Sequence, residues 1–348
     1  MITNAHIAIL GATGAVGQEF IRLIEERNVP YERLTLLASS RSAGKKMLVK
    51  GKEYTVEEAR PESFADVDIA LFAGGGISRT LAPEAAARGA VVIDNSSTFR
   101  MDPHVPLVIP EINPEDIACH QGIIANPNCS TIIMLMALKP IHDLSPIRRI
   151  IVSTYQAVSG AGKEGMEELE TQLKDLSCGR EMQAHVLPVA SLNTHYPIAN
   201  NLIPQIDVFL DNRYSKEEMK MVNETHKVFH DDTIAVTPTT VRVPVMRSHS
   251  MAVYIETETP LEIDKVRAAL QAADGVTVVD EPDDMAYPMP LYTSQKNDVE
   301  VGRIRADLTV PNGLNLWVVG DQIRKGAALN TLQIAEYILA HDGLKGRG

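Results

Sequence analysis

The chain has 348 residues, 45% of them hydrophobic and 22% charged, and its formal net charge is −12. That length exceeds what a single core usually fills, so about two domains are expected, and the composition excludes a disordered or collagen-like chain. The acidic balance, with no long Lys/Arg run against it, argues against a nucleic-acid or anionic-membrane partner.

Met1 to Leu10 lacks a basic leader region and runs straight into a glycine turn rather than a cleavage site, so no signal peptide is expected. Strand candidates follow at His6–Leu10, Leu34–Ala38, Ile69–Ala73, Val91–Asp94 and Gly122–Ala125, with helical or loop segments between most of them. That alternation predicts an α/β domain, a parallel sheet with crossover helices. Directly after the first strand comes Gly11-Ala-Thr13-Gly14-Ala15-Val16-Gly17, then an amphipathic helix. Glycines in that setting let the backbone approach a pyrophosphate, whose charge the helix N-terminus meets. The spacing is GxxGxxG rather than GxGxxG, and a tight strand-to-helix turn would look much the same. After the second strand, where NAD-specific sites carry Asp or Glu, the chain reads Ser39-Ser40-Arg41-Ser42, which suits the 2′-phosphate of NADP.

Three cysteines, Cys119, Cys129 and Cys178, form an odd and sparse set that fits free thiols in a reducing, cytoplasmic compartment. Cys129 stands in Asn126-Pro-Asn-Cys129-Ser-Thr131, ahead of the apolar run Ile132–Leu138, which should form a buried helix. In that helix's first turn, amides and dipole lower a thiol pKa and raise the nucleophilic thiolate fraction. The run is far shorter than the ~20 residues of a membrane span, so no membrane partner is expected.

From Arg148 the texture changes to a mixed α+β pattern, with strand candidates Ile150–Tyr155, Met251–Glu256, Val301–Asp307 and Leu314–Val319. Ser215 and Glu218 have the spacing of a capping box, opening a helix with Met219, Val222 and Phe229 as its buried face. Glu281–Asn297, rich in Pro and Met, reads as loop. Ala327–Leu339 returns to helical periodicity.

Taken together, GATGAVG at 11–17, NSSTFRM at 95–101, NPNCST at 126–131, TYQAVSGAG at 154–162, VRVPVMRSHS at 241–250 and KGAALNTLQIAE at 325–336 closely resemble the aspartate-semialdehyde dehydrogenase family, nearly end to end and in order. The resemblance implies a Rossmann-type doubly wound NADP domain from residues 1–128 plus 321–348. An α+β catalytic and dimerisation domain, 129–320, is inserted between them, an architecture like that of glyceraldehyde-3-phosphate dehydrogenase. It also implies the reaction: L-aspartate 4-semialdehyde, phosphate and NADP exchange reversibly with 4-aspartyl phosphate and NADPH through a cysteine thioester. The setting is the biosynthesis of lysine, methionine, threonine and isoleucine, the protein a homodimer or dimer of dimers, and no metal takes part.

Residue by residue, the resemblance makes Cys129 the nucleophile, His249 the acid/base and Gln156 a hydrogen-bonding positioner of the reacting group. An unperturbed imidazole, near 6.5, suits that proton exchange. Arg100 and Lys220 correspond to phosphate ligands, Arg242 to the clamp on the substrate carboxylate, and Glu217 to the partner of the amino group. Gly11, Thr13, Gly14, Ala15, Val16, Gly17, Ser39, Arg41 and Ser42 would hold the dinucleotide, with Gly160, Gly162 and Asn330 closing around the nicotinamide. The nearest rival, N-acetyl-glutamyl-phosphate reductase, sets its cysteine in Pro-Gly-Cys-Tyr, from which Asn128-Cys129-Ser130 departs. A non-enzymatic nucleotide sensor would need the glycine turn but not the cysteine, and a thiol acyltransferase or hydrolase the reverse.

Overall fold

The computed structural model describes residues 5–341. Two compact units divide the chain. The first comprises the N-terminal stretch through Asn128, Lys227–Phe229 and the chain from Gly326 onward; the second is Cys129–His226 with His230–Lys325.

The first unit is built on β1 (His6–Leu10), β2 (Arg33–Ala38), β3 (Lys46–Val49), β4 (Lys52–Thr55), β5 (Glu57–Glu58), β6 (Ile69–Phe72), β7 (Val91–Asp94) and β8 (Ile123–Ala125), with helices α1 (Ala15–Glu26) and α2 (Ser78–Ala87). Six strands form one parallel sheet in the order β5-β2-β1-β6-β7-β8. All five residues of β1 are buried, as expected of a parallel strand covered on both faces. Ile7 and Ile9 join the cluster that holds Phe20, Leu23 and Ile24 of α1 and Leu332, Ala335 and Ile338 of the C-terminal helix. Ala8 and Leu10 join Leu81, Ala82 and Ala85 of α2 on the other side. The chain leaves β1 for β2 on one flank and returns to β6 on the other. The sheet's switch point therefore lies at the carboxyl end of β1, where the glycine turn begins. The hairpin β3–β4, absent from the sequence reading, turns on Lys50 and Gly51, both with positive φ. Its four-residue strands, KMLV and KEYT, are too short for alternation to announce it.

The second unit contributes α3 (Cys129–Leu144), β9 (Ile147–Gln156), α4 (Gly162–Ser177), α5 (Lys216–Phe229), β10 (Ala235–Arg242), β11 (His249–Thr257), α6 (Ile263–Ala272), β12 (Val276–Val278), α7 (Pro290–Thr293), β13 (Val299–Ala306) and β14 (Gly313–Gly320); the C-terminal helix is α8 (Leu329–Ala340). Its mixed sheet has the order β10-β9-β11-β14-β13-β12. Val152, Val253 and Leu316, abreast in the ladder, are buried on the face that α3 covers. On the opposite face Ile151 and Tyr155 stay exposed, and Tyr155 lies 5.5 Å from the Trp317 ring.

Two further expectations need correction. Glu281–Asn297 holds a short 3₁₀ turn at Pro282–Asp284 as well as α7. In α5 the buried side carries Glu217, Met221, Glu224, Thr225 and Val228, while Met219, Val222 and Phe229 are only half-buried. Its buried carboxylates, which hydrophobic periodicity counts as surface, shift the face. Among the described residues no helix is long and apolar enough to cross a membrane.

Candidate active site

In the first unit the chain leaves β1 through Gly11, whose φ of +84° favours glycine. The Gly14 N–H bonds back to the Gly11 carbonyl at 2.9 Å. A Cβ on Gly17 would run into the Gly11 carbonyl and the Ala12 Cα, so only glycine lets α1 start this close to the strand. Gly14 provides no side-chain cap, and no acidic residue occupies the first turn of α1. The amide end formed by Ala15, Val16 and Gly17 is thus left to an anion. Thr13 Oγ1 reaches Ser42 Oγ at 3.4 Å, tying the turn to the loop after β2, where Ser39 and Arg41 are exposed. A glycine cradle that leaves helix amides open fits the pyrophosphate of a dinucleotide.

Elsewhere in this unit, Arg100 is buried and donates from Nη2 to the Asn95 carbonyl at 2.8 Å. Asn330 is fully buried, and its amide nitrogen donates to Asn126 Oδ1 at 2.7 Å and to the Val108 carbonyl at 2.9 Å. It thereby braces the segment that leads into Cys129.

In the second unit three strand ends converge. Gln156 and Arg242 end β9 and β10 as partners in a parallel ladder, and β11 begins antiparallel beside β9, which brings His249 abreast of Gln156. Cys129, a free and half-buried thiol, is the first residue of α3, and its Sγ lies 3.5 Å from His249 Nε2. The backbone N–H of Ala157 donates to His249 Nδ1 at 3.1 Å. An N–H can only donate, so Nδ1 is an acceptor and the neutral ring carries its proton on Nε2, facing the sulfur. Burial, helped by the Arg242 cation and opposed by Glu217, pushes the imidazole down to about 3. Enclosure beside a guanidinium thus moves the ring well below its unperturbed 6.5 and keeps it neutral.

Arg242 is itself buried and donates from Nη1 to the Ala157 carbonyl at 2.7 Å, while its Nε is buried without a hydrogen-bond partner among the described residues. Burial lowers its pKa, against the Glu217 carboxylate and the Cys129 thiolate, which raise it. A guanidinium still stays protonated, so a cation is held beside the sulfur. Gly160 completes this wall, since a Cβ there would stand 2.7 Å from Arg242 Nη1 and 3.4 Å from His249 Cε1. Gly162, with φ +80°, opens α4.

Gln156 accepts from Thr154 Oγ1 at 3.0 Å and donates to Glu217 Oε1 at 3.2 Å; its Nε2 also approaches His249 Nε2 at 3.4 Å. Glu217 Oε2 in turn receives Lys220 Nζ at 3.1 Å. The capping box that leaves Glu217 available is present: the Ser215 N–H donates to Glu218 Oε2 at 2.6 Å, and the Glu218 N–H to Ser215 Oγ at 3.2 Å. Asp207, 3.2 Å from Lys220 Nζ, is a member that the sequence reading misses, because no motif marks a loop carboxylate 13 residues from its partner. No group of three or more His, Cys, Asp or Glu among the described residues is placed to hold a metal ion.

Residues 6–120 match the family model described as semialdehyde dehydrogenase, NAD binding domain, and residues 138–325 the one described as semialdehyde dehydrogenase, dimerisation domain. The aspartate-semialdehyde dehydrogenase of Bacillus subtilis is 53% identical over 333 residues, 95% of this chain and 96% of its own. The crystal structure of aspartate semialdehyde dehydrogenase II from Vibrio cholerae, complexed with ASA, matches with a TM-score of 0.93 at 47% identity, over 97% of this chain and 99% of that one. The Candida albicans enzyme, solved with NADP, shares the fold at a TM-score of 0.76 and 24% identity, over 98% of this chain and 99% of that one.

Proposed function

This chain belongs to the aspartate-semialdehyde dehydrogenase family, and we propose that it works as an NADP-linked, phosphorylating member in which Cys129 carries the substrate as a thioester. Supporting this most directly is the 3.5 Å approach of the Cys129 sulfur to a neutral His249, walled by Arg242. The N-terminus of α3 and the Arg242 cation favour the thiolate, which attacks the semialdehyde carbon and leaves its former carbonyl oxygen as an oxyanion on a thiohemiacetal. His249 enters as a donor rather than a base, because its Nε2 proton points to where that oxyanion develops. The bound dinucleotide supplies the hydride acceptor, or the donor in the biosynthetic direction. Phosphate then attacks the carbonyl carbon of the Cys129 thioester, forming a C–O bond as the C–S bond breaks, and the thiolate is recovered.

Arg242 holds the substrate carboxylate with its remaining N–H groups, and Glu217 takes the amino group. Arg100 and Lys220 serve phosphate. Gly11, Gly14, Gly17 and the amides of Ala15 and Val16 hold the pyrophosphate, with Thr13, Ser39, Arg41 and Ser42 toward the 2′-phosphate; Gly160 and Gly162 border the nicotinamide. A second copy of the chain covers the exposed sheet face around Ile151 and Tyr155, giving a cytoplasmic homodimer. The relatives do not favour the N-acetyl-glutamyl-phosphate reductase alternative.

Mixing the protein with aspartate semialdehyde and NADP should give phosphate-dependent growth of NADPH absorbance; turnover that ignores phosphate would defeat the reading. Cys129→Ala should abolish turnover while NADP binding persists, because nucleophile and cofactor turn belong to separate segments. Activity retained by that variant would remove Cys129 from the mechanism.

A further inference from the structure

Past the carboxyl end of β7 the chain runs through residues 99–105, and little apolar surface fastens that stretch. Phe99 packs on the core of the first unit and Val105 is buried, but Met101, Asp102, Pro103 and His104 between them are exposed. Two turns shape it, closed by the Asp102 N–H on the Phe99 carbonyl at 3.0 Å and the Val105 N–H on the Asp102 carbonyl at 3.2 Å. The carbonyls of Arg100, Asp102 and Val105 converge on one point, where the Lys227 Nζ donates to them at 2.8, 2.7 and 2.8 Å. Lys227 stands in the last turn of α5, and Lys227–Phe229 group with the first unit. Three carbonyl dipoles aimed at one point repel one another unless a cation with several N–H groups sits between them; an ammonium brings both the charge and three donors. Arg100, inside this stretch, is buried with its Nη2 on the Asn95 carbonyl at 2.8 Å.

We propose that Lys227 is a positioning residue for the reaction, an ammonium that fixes the backbone from which Arg100 reaches phosphate. This rests on the reading of Arg100 as a phosphate ligand. One of the three bonds falls on the carbonyl of Arg100 itself, so loss of Lys227 frees the very residue whose guanidinium must be aimed. Without the ammonium the three carbonyls turn apart toward water, the two turns loosen, and the guanidinium is no longer held where phosphate arrives. None of the three bonds touches Cys129, Arg242, His249 or the glycine turn after β1, so semialdehyde and dinucleotide are bound as before.

The test substitutes Lys227→Met, which keeps an apolar stem and removes the charge and the donors, and measures turnover against phosphate concentration at saturating semialdehyde and NADP. KM for phosphate should rise about 10-fold, the scale on which one charge-assisted contact acts, while KM for the semialdehyde and Kd for NADP stay within roughly threefold. Combined with Arg100→Lys, the substitution should add no further rise. Lys227→Ala should show the same rise, and propylammonium, which replaces the atoms lost from Cγ to Nζ, should bring KM for phosphate back toward native where tetramethylammonium, a cation without N–H groups, does not. A native KM for phosphate in Lys227→Met, equal losses for all three ligands, a rise that multiplies on the Arg100→Lys background, or equal effects of the two cations would overturn the proposal. Should Lys227→Met fail to fold, Lys227→Ala decides by the same criteria. A native KM for phosphate in Arg100→Lys would strike the underlying reading as well, whereas a raised KM there beside a native one in Lys227→Met strikes this proposal alone.

Discussion

Holding an imidazole neutral inside the protein has a thermodynamic signature at the level of the single residue. His249 is depressed to about 3 from an ordinary 6.5, so between those values the unfolded chain binds the proton and the folded chain does not. Stability is therefore full above about 6.5 and is lost as pH falls toward 3. From pH 7 to 5 this residue should account for about 2 kcal/mol of lost stability. His6 and His142, also lowered by burial, act in the same sense, so the comparison must be with a variant. Urea unfolding at the two pH values should show native protein losing about 2 kcal/mol more than His249→Asn; equal losses would contradict the buried neutral ring. At the cofactor rim, Arg41→Ala should weaken NADP by about 10- to 100-fold and leave NAD nearly unchanged, as removal of a charge-assisted phosphate contact does, and titration of both dinucleotides would check this. Cys129 is legible in the sequence because its place before an apolar run signals a helix start. His249 is legible only through the resemblance, and the lowering of its pKa not at all, since burial and then the Arg242 cation cause it and both arise only in the folded site.

One packing contact bears on where the helix that opens at Cys129 lies. Ile133, one turn after Cys129, covers Gly320 so closely that a Cβ there would stand 2.8 Å from its Cγ1 and 3.0 Å from its Cγ2. Gly320 pairs with His249 across β11 and β14, so the α3–β14 contact sets the spacing of sulfur and imidazole. Gly320→Ala must push against a β-branched side chain with little rotamer freedom. It should lower kcat about 10-fold or more, with a stability loss of about 1–3 kcal/mol. Native kinetics in that variant would mean that α3 is placed by other contacts. The parallel strands β1, β6 and β7 are plain in sequence because both their faces are apolar. β10 is not, since Pro238 argues against a strand; the sheet admits it because β10 is an edge, where a missing N–H leaves no ladder bond open. The capping box of α5 is readable from two residues. Its buried side is not, because Glu217 and Glu224 lie within it.

For the molecule as a whole, the exposed face of the mixed sheet is the feature that calls for a partner. Ile151 at 42% exposure and Tyr155 at 36% stand on a sheet whose opposite face is fully occupied, within the region matching a dimerisation domain. Sedimentation velocity should find native protein dimeric and Tyr155→Asp shifted toward monomer with its far-ultraviolet dichroism intact; a variant that stays dimeric would move the interface elsewhere. The change of texture near Arg148 is legible in the sequence, whereas the return of the chain after Gly326 to the first unit is implied only by the family resemblance, since an amphipathic helix can pack on any apolar surface. The second unit begins at Cys129 and ends at Lys325, and Ile133 and Gly320 place its entry helix and exit strand side by side. Cys129, Gln156, Arg242 and His249 all belong to that unit, so a shift in its packing reaches the four together, while the glycine turn after β1 lies in the other unit.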